Sequence, residues 1–218
     1  MTARTRPART LAVLATVAAM LGAVAASGLA ATRPGVEWWR PVQIHSIRAD
    51  NYTSLDALTL GADAVVVGRV QSVEMGRSFL ADPELGDAGY AYFAEVTVAI
   101  DDVIRNSSPI DLSATARIEI FLPRETALDL LVNRLPDDPQ LLFLRHKGSE
   151  AAMLGLDEAV IQAEAPYFRL VVREAVIADR LGLADAFDDA EDGYLRALDG
   201  VVFSEVLKRV RDVAALAN

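Results

Sequence analysis

Cysteine is absent from the 218 residues, and only two lysines (Lys147, Lys208) and two histidines (His45, His146) occur. Without cysteine there is no disulfide scaffold, no lipid-modified cysteine anchor, no thiolate zinc site and no cysteine nucleophile. Two histidines are too few for an all-histidine metal site with three ligands. The glycine-rich patterns that cradle phosphates, GxGxxG and GxxxxGK[ST], are missing, and so is the Gly-x-Ser-x-Gly elbow of a serine nucleophile. His146 and Ser149 stand three residues apart, yet Lys147-Gly148-Ser149 reads as a turn. His146 is therefore expected as a surface residue that caps a strand end.

Positive charge is also scarce: 21 basic side chains face 31 acidic ones, for a net charge of −10. At 52 % apolar and 24 % charged, the composition is nevertheless that of a packed protein. Residues 1–32 hold three arginines (Arg4, Arg6, Arg9), no acid, and a run of 23 uncharged residues from Thr10 to Thr32. A basic start before a long apolar run is an export signal, because the positive end stays on the cytoplasmic side. Ala25-Ala26-Ser27 offers the small residues a signal peptidase reads, for cleavage after Ser27. The same run is also long enough to stay in a bilayer as an anchor, and Trp38, Trp39 and Arg40 then read as interface residues. Both fates stay open. Without those three arginines the remainder has 18 basic and 31 acidic side chains, a net −13. That charge disfavours nucleic acid and anionic membrane surfaces as partners.

Residues 33–52, with Pro34 and Pro41, read as a tether, and a domain over 53–218 follows. Thr53-x-x-Asp56 is a capping-box pattern that opens a short helix through Leu55 and Leu58. Ala64-Val65-Val66-Val67-Gly68-Arg69-Val70 is a strand buried on both faces, with Gly68 marking a bend. Residues 75–89 read as loop. Tyr92, Ala94, Val96, Val98 and Ile100 then alternate with polar residues, and so do Ala116, Ile118, Ile120 and Leu122 after a turn at Asn106–Pro109. Leu128, Leu131, Val132 and Leu135 have helical spacing that Pro136 stops, and Leu141–Leu144 is a short buried strand. Further strands are expected at 159–163, 167–172 and 175–178. Phe203, Val206, Leu207, Val210, Val213, Ala214 and Ala217 form one helical stripe, read as a cover for an open side of a barrel. Three strands, a helix, then more strands is the order of an OB-like small antiparallel barrel, a mainly β fold with helices (α+β).

The segment Ala62–Val70, the strand pair after it and Leu141–Leu144 resemble a group of exported bacterial proteins of unknown function, most common in actinobacteria and their relatives. The layout is also similar to the netrin-like OB barrel of metalloproteinase inhibitors and complement proteins. In that family the inhibitory contact depends on cysteines, so the resemblance implies the barrel and not the inhibition.

One acidic stretch follows part of a calcium-loop register: Asp188 at position 1, Asp192 at 5, Gly193 at 6 and Asp199 at 12. Ala190 and Arg196 break it at the third and ninth positions, which makes calcium a minor reading beside a solvated acidic loop. The sequence thus favours a non-enzymatic, exported cell-envelope interaction module with no cofactor. Its partner is a protein or envelope component, and the loops at 75–90 and 105–113 flank the binding face of an OB barrel. The alternatives are a cell-envelope hydrolase using loop carboxylates and a calcium-stabilised structural domain.

Overall fold

Ala64 and Val66 face one layer of side chains while Val65 and Val67 face another, and all four are buried. The strand that carries them, β1 (Ala64–Leu80), therefore lies between two cores. The computed structural model describes residues 35–42, 52–80, 83–122, 127–172, 175–186 and 193–217. Within them β2 (Tyr90–Asn106), β3 (Thr115–Leu122), β4 (Gln140–His146), β5 (Phe168–Leu170), β6 (Val176–Arg180) and β7 (Leu183–Ala186) complete a seven-stranded sheet. Its helices are α1 (Leu55–Gly61), α2 (Leu128–Val132), α3 (Lys147–Met153), α4 (Glu158–Glu164) and α5 (Phe203–Ala215).

Pairing runs β1-β2-β3-β5-β4 and returns from β4 to β1, with β3 parallel to β5 and the other neighbours antiparallel. This is an OB-like barrel of the kind the sequence indicates, with a short helix between β3 and β4. The ring closes unevenly. β1 and β4 pair from Ala64↔Leu144 to Gly68↔Gln140, whereas β3 and β5 meet only at Ile118↔Phe168. β6 continues along the edge of β4, and β7 pairs with β6.

Inside the ring, Val66, Val96, Val98, Ile118, Leu142, Leu144 and Phe168 pack together. On the outer side, Val65, Val67, Leu141, Phe143 and Ile177 are roofed by Leu55 and Leu58 of α1 and by Phe203, Val206 and Val210 of α5. The C-terminal stripe is thus a cover, as its spacing indicates. Gly68 is where β1 slips in register against β2; a Cβ there would stand 2.5 Å from the Ala99 carbonyl oxygen.

Four expectations change. Residues 75–80 are not loop: β1 continues to Leu80, and a short 3-10 helix over Pro83–Gly89 joins it to β2. Residues 159–163 form no strand but lie in α4. They show no alternation, they follow Asp157 at the N-cap, and both edges of β4 are already taken by β1, β5 and β6. Lys147-Gly148-Ser149 is the first turn of α3, not a loose turn.

The fourth concerns residues 33–52, read as a tether. Val36–Val42 is a 3-10 helix that packs against β3 and β6, with Val36, Trp38 and Trp39 in the inner core. The Trp38 indole donates to the Leu131 carbonyl (3.0 Å), and the Trp39 indole to Gln140 Oε1 (3.0 Å). These indoles lie inside the protein rather than at a membrane interface, and the compact unit begins at Pro34, not at residue 53. Residues 43–51 lie outside the described set.

Replacing Trp39 by Ala removes the largest fully buried side chain and strands the Gln140 amide in the core. The expected loss is about 3–5 kcal/mol of folding free energy, read from the shift of the urea unfolding midpoint. An unchanged midpoint would show that the tryptophans are not part of the core.

Candidate functional site

The outer face of β1, β2 and β3 poses an electrostatic problem. Antiparallel register sets Glu74 opposite Glu95, and Glu95 opposite Glu119, so three carboxylates form a row across three strands. Like charges directly opposite destabilise a sheet. Three cations resolve it.

Arg117 grips Glu95 with two hydrogen bonds, of 2.5 and 2.6 Å. Arg77 grips Glu119 in the same way, at 2.6 and 2.7 Å, and also reaches Glu164 at 2.5 Å. Lys147 bonds both Glu119 and Glu164. The Glu119 side chain is only 1 % exposed, so these cations replace almost all of its water. Arg77 is held above its ordinary value, chiefly by its hydrogen bond to Glu119. For Glu164, burial pushes the carboxyl up, but the hydrogen bonds from Arg77 and Lys147 outweigh it and hold it below the usual range.

Aromatic rings fill the spaces between these charges. Phe93 stacks on Phe79 at 5.8 Å and meets Phe121 edge-on, also at 5.8 Å. Arg77 and Lys147 lie over the Phe93 ring, and Arg117 lies 4.6 Å above Tyr167. The network spans β1, β2, β3, α3 and α4, and it fastens the α3–α4 excursion across the barrel. That excursion turns its charges inward and its apolar side chains outward: Met153, Leu154, Leu156 and Val160 are exposed.

His146 is buried, not on the surface. Its Nδ1 accepts from the Ser149 backbone N–H (3.0 Å), capping α3, and lies 2.7 Å from Ser149 Oγ. Its Nε2 faces the Ala165 carbonyl at 2.8 Å. The expected surface cap of a strand end is thus replaced by a buried N-cap of a helix. The serine–histidine pair is also real, but the third group is a backbone carbonyl rather than a carboxylate, and the imidazole is closed to solvent. The Ala62-Asp63 step acts nearby. Asp63 Oδ2 accepts from the His146 N–H (2.8 Å) and the Asp63 carbonyl from Ser107, which ties the start of β1 to the end of β4 and to the turn after β2.

Of the calcium-loop residues, Asp188 and Asp192 lie outside the described set. Asp199 sits in an exposed turn after Arg196–Leu198. Its charge acts on Asp185, whose carboxyl is pushed up first by burial and further by Asp199 and Asp138, against the Val36 N–H and Arg180. Among the described residues no cluster of three metal-ligating side chains occurs. The chain matches no protein-family model, no curated protein and no solved structure.

Glu119→Gln would leave Arg77 and Lys147 facing an uncharged amide, and is expected to cost about 3 kcal/mol in a urea titration. Glu164 and Glu150 are both held below the ordinary carboxylate range, Glu150 chiefly by hydrogen bonds from Arg169. Their stabilisation is complete above about pH 5 and is lost as pH falls through the lowered values, below about pH 4. The urea midpoint should therefore fall between about pH 5 and about pH 3, and Glu164→Gln should flatten that slope. An identical slope in the variant would dissociate Glu164 from the acid response.

Proposed function

We propose that this chain is a non-enzymatic, extracytoplasmic interaction module. It is held at the membrane by residues 10–32, or released after cleavage near Ser27. Its binding element is the β1–β2 arm. One observation carries this reading. Among the described residues the last pair that β3 makes with β2 is Tyr92↔Leu122, while β1 and β2 go on pairing beyond it through Phe79↔Ala91 and Leu80↔Tyr90. Beyond the barrel the arm is two strands wide, and it exposes Phe79 (50 %) on one face and Leu80 and Tyr90 on the other.

A two-stranded ribbon gains little from bare apolar tips in water, whereas an interface core favours aromatic side chains. The arm is also the 75–90 stretch indicated by the barrel layout. On the neighbouring face Glu95, Glu119 and Glu164 are each bound by a cation, which favours the interaction reading over a hydrolase that would need these groups as free acid and base.

The test pairs the full chain with a Phe79→Ser/Tyr90→Ser variant in capture from solubilised cell envelope. The variant gives up the Phe79–Phe93 stack, so it is expected to unfold at a somewhat lower thermal midpoint while remaining folded at the capture temperature, and to lose at least about tenfold in affinity for the captured partner. Equal capture by both proteins would remove the arm from the interface.

A further inference from the structure

One imidazole holds both ends of the excursion between β4 and β5. His146 ends β4 opposite Phe168, the first residue of β5, and residues 147–165 leave the sheet between them as α3 and α4. At the exit, His146 Nδ1 accepts the Ser149 N–H of the first turn of α3 (3.0 Å). At the return, Nε2 lies 2.8 Å from the carbonyl of Ala165, the C-cap of α4. A backbone N–H only donates and a carbonyl only accepts, so the two partners fix the ring with Nδ1 bare and the proton on Nε2. The Ser149 hydroxyl, 2.7 Å from Nδ1, then donates to the same nitrogen. The neck is closely packed. A Cβ on Gly148 would stand 2.8 Å from Ala165 Cα and 3.0 Å from His146 Cε1, and Phe168 meets the imidazole edge-on at 5.7 Å.

A second proton can enter the ring only at Nδ1, where it would point at the Ser149 N–H, donor against donor. Proton uptake and the closed neck therefore exclude one another. Among the described residues no carboxylate bonds the ring to compensate a positive charge. The charged groups around it are engaged elsewhere. Asp63, just before β1, accepts the main-chain N–H of His146 and lies 3.7 Å from Arg145 of β4. Glu150 of α3 is bound by Arg169 of β5, while Glu164 of α4 and Glu119 of β3 are bound by Lys147 and Arg77. The Tyr167 hydroxyl, at the entry to β5, accepts from Arg117.

We infer that His146 is a proton-operated clasp: the neutral imidazole closes the α3–α4 excursion against the barrel, and uptake of a second proton opens it. Apolar contact does little to hold the excursion, since α3 buries only Gly148 and Ala151 and α4 buries nothing. Opening draws Lys147 and Glu164 away from the charge row. It also uncovers the Phe93 ring, which lies under Lys147 and on which Phe79 of the arm stacks. Acidification thus enlarges the aromatic face that the sheet exposes.

Amide hydrogen exchange of the full chain, corrected for its intrinsic pH dependence, tests the clasp. Protection of residues 147–165 is expected to fall at least about tenfold between about pH 7 and about pH 5, where imidazoles take up their second proton, while protection of β1–β3 stays constant. That window lies above the one in which Glu164 and Glu150 lose their charge. His146→Asn, whose side chain can cap α3 without titrating, should keep its protection over the same window. An unchanged parent, or an equal fall in the variant, overturns the clasp. A nitrogen NMR titration of the parent's histidine rings covers the case of a variant that does not fold. Nδ1 of His146 should be bare at about pH 7 and should gain its proton with the same midpoint as the loss of protection. Two distinct midpoints overturn the coupling.

Discussion

A five-stranded ring holds only if every neighbouring pair shares a ladder, and here β3 and β5 share a single bridge, Ile118 with Phe168. The backbone alone therefore closes the ring poorly on this side. Val36, Trp38 and Trp39 pack against β3 and against β6 and spend both indole N–H groups on internal acceptors. The Leu131 carbonyl at the end of α2 and the Gln140 side chain at the start of β4 would otherwise need water in a dry core. The segment before the barrel is therefore part of the barrel. That single fact moves the start of the domain from residue 53 to the segment before Val36.

The second constraint is the row Glu74, Glu95 and Glu119. A sheet that places carboxylates in register must import cations, and only Arg117 lies on these three strands beside Glu95, with Arg77 reaching over from the far part of β1. Lys147, one of only two lysines, comes from α3, and Glu164 from α4 pairs with the same cations. The excursion between β4 and β5 is thus fixed by charge rather than by apolar burial; α4 has no buried residue. Its inverted polarity follows, with Met153, Leu154, Leu156 and Val160 left outside. The ion pairs are partly buried and mutually dependent, so removing one partner costs more than the pair itself contributes.

The barrel order was legible because its strands carry period-two signals: Val96, Val98, Ile118 and Leu142 alternate or cluster as buried strands must. The bend at Gly68 and the covering stripe of α5 were legible for similar local reasons. What failed is non-local. Trp38 and Trp39 beside an apolar run suit a membrane interface or a protein core equally well by composition, and only the seam between β3 and β5 decides. The α4 sequence was ambiguous because Val160 and Ile161 favour strands, while the edges that such a strand would join were already occupied. The charge row could not be read at all: Glu74, Glu95 and Glu119 are 21 and 24 residues apart, and they meet through bulged register. The helix cap of His146 was not legible, because Lys147-Gly148-Ser149 reads as a turn, and its burial depends on Ala165 packing against Gly148 from a helix expected as strand.

Two exposed apolar groups differ in how they are held. The arm carries Phe79, Leu80 and Tyr90 half-exposed on a paired ribbon, with Phe79 stacked on Phe93 on one face and Leu80 and Tyr90 on the other. The Leu181 tip, where β6 turns into β7, is strained at positive φ and pinned through Gly182 by Asp179 and Phe203. Strain of about 1 kcal/mol at an exposed leucine would be relieved by asparagine or glycine at no packing cost. Its presence is therefore not explained by packing within the fold.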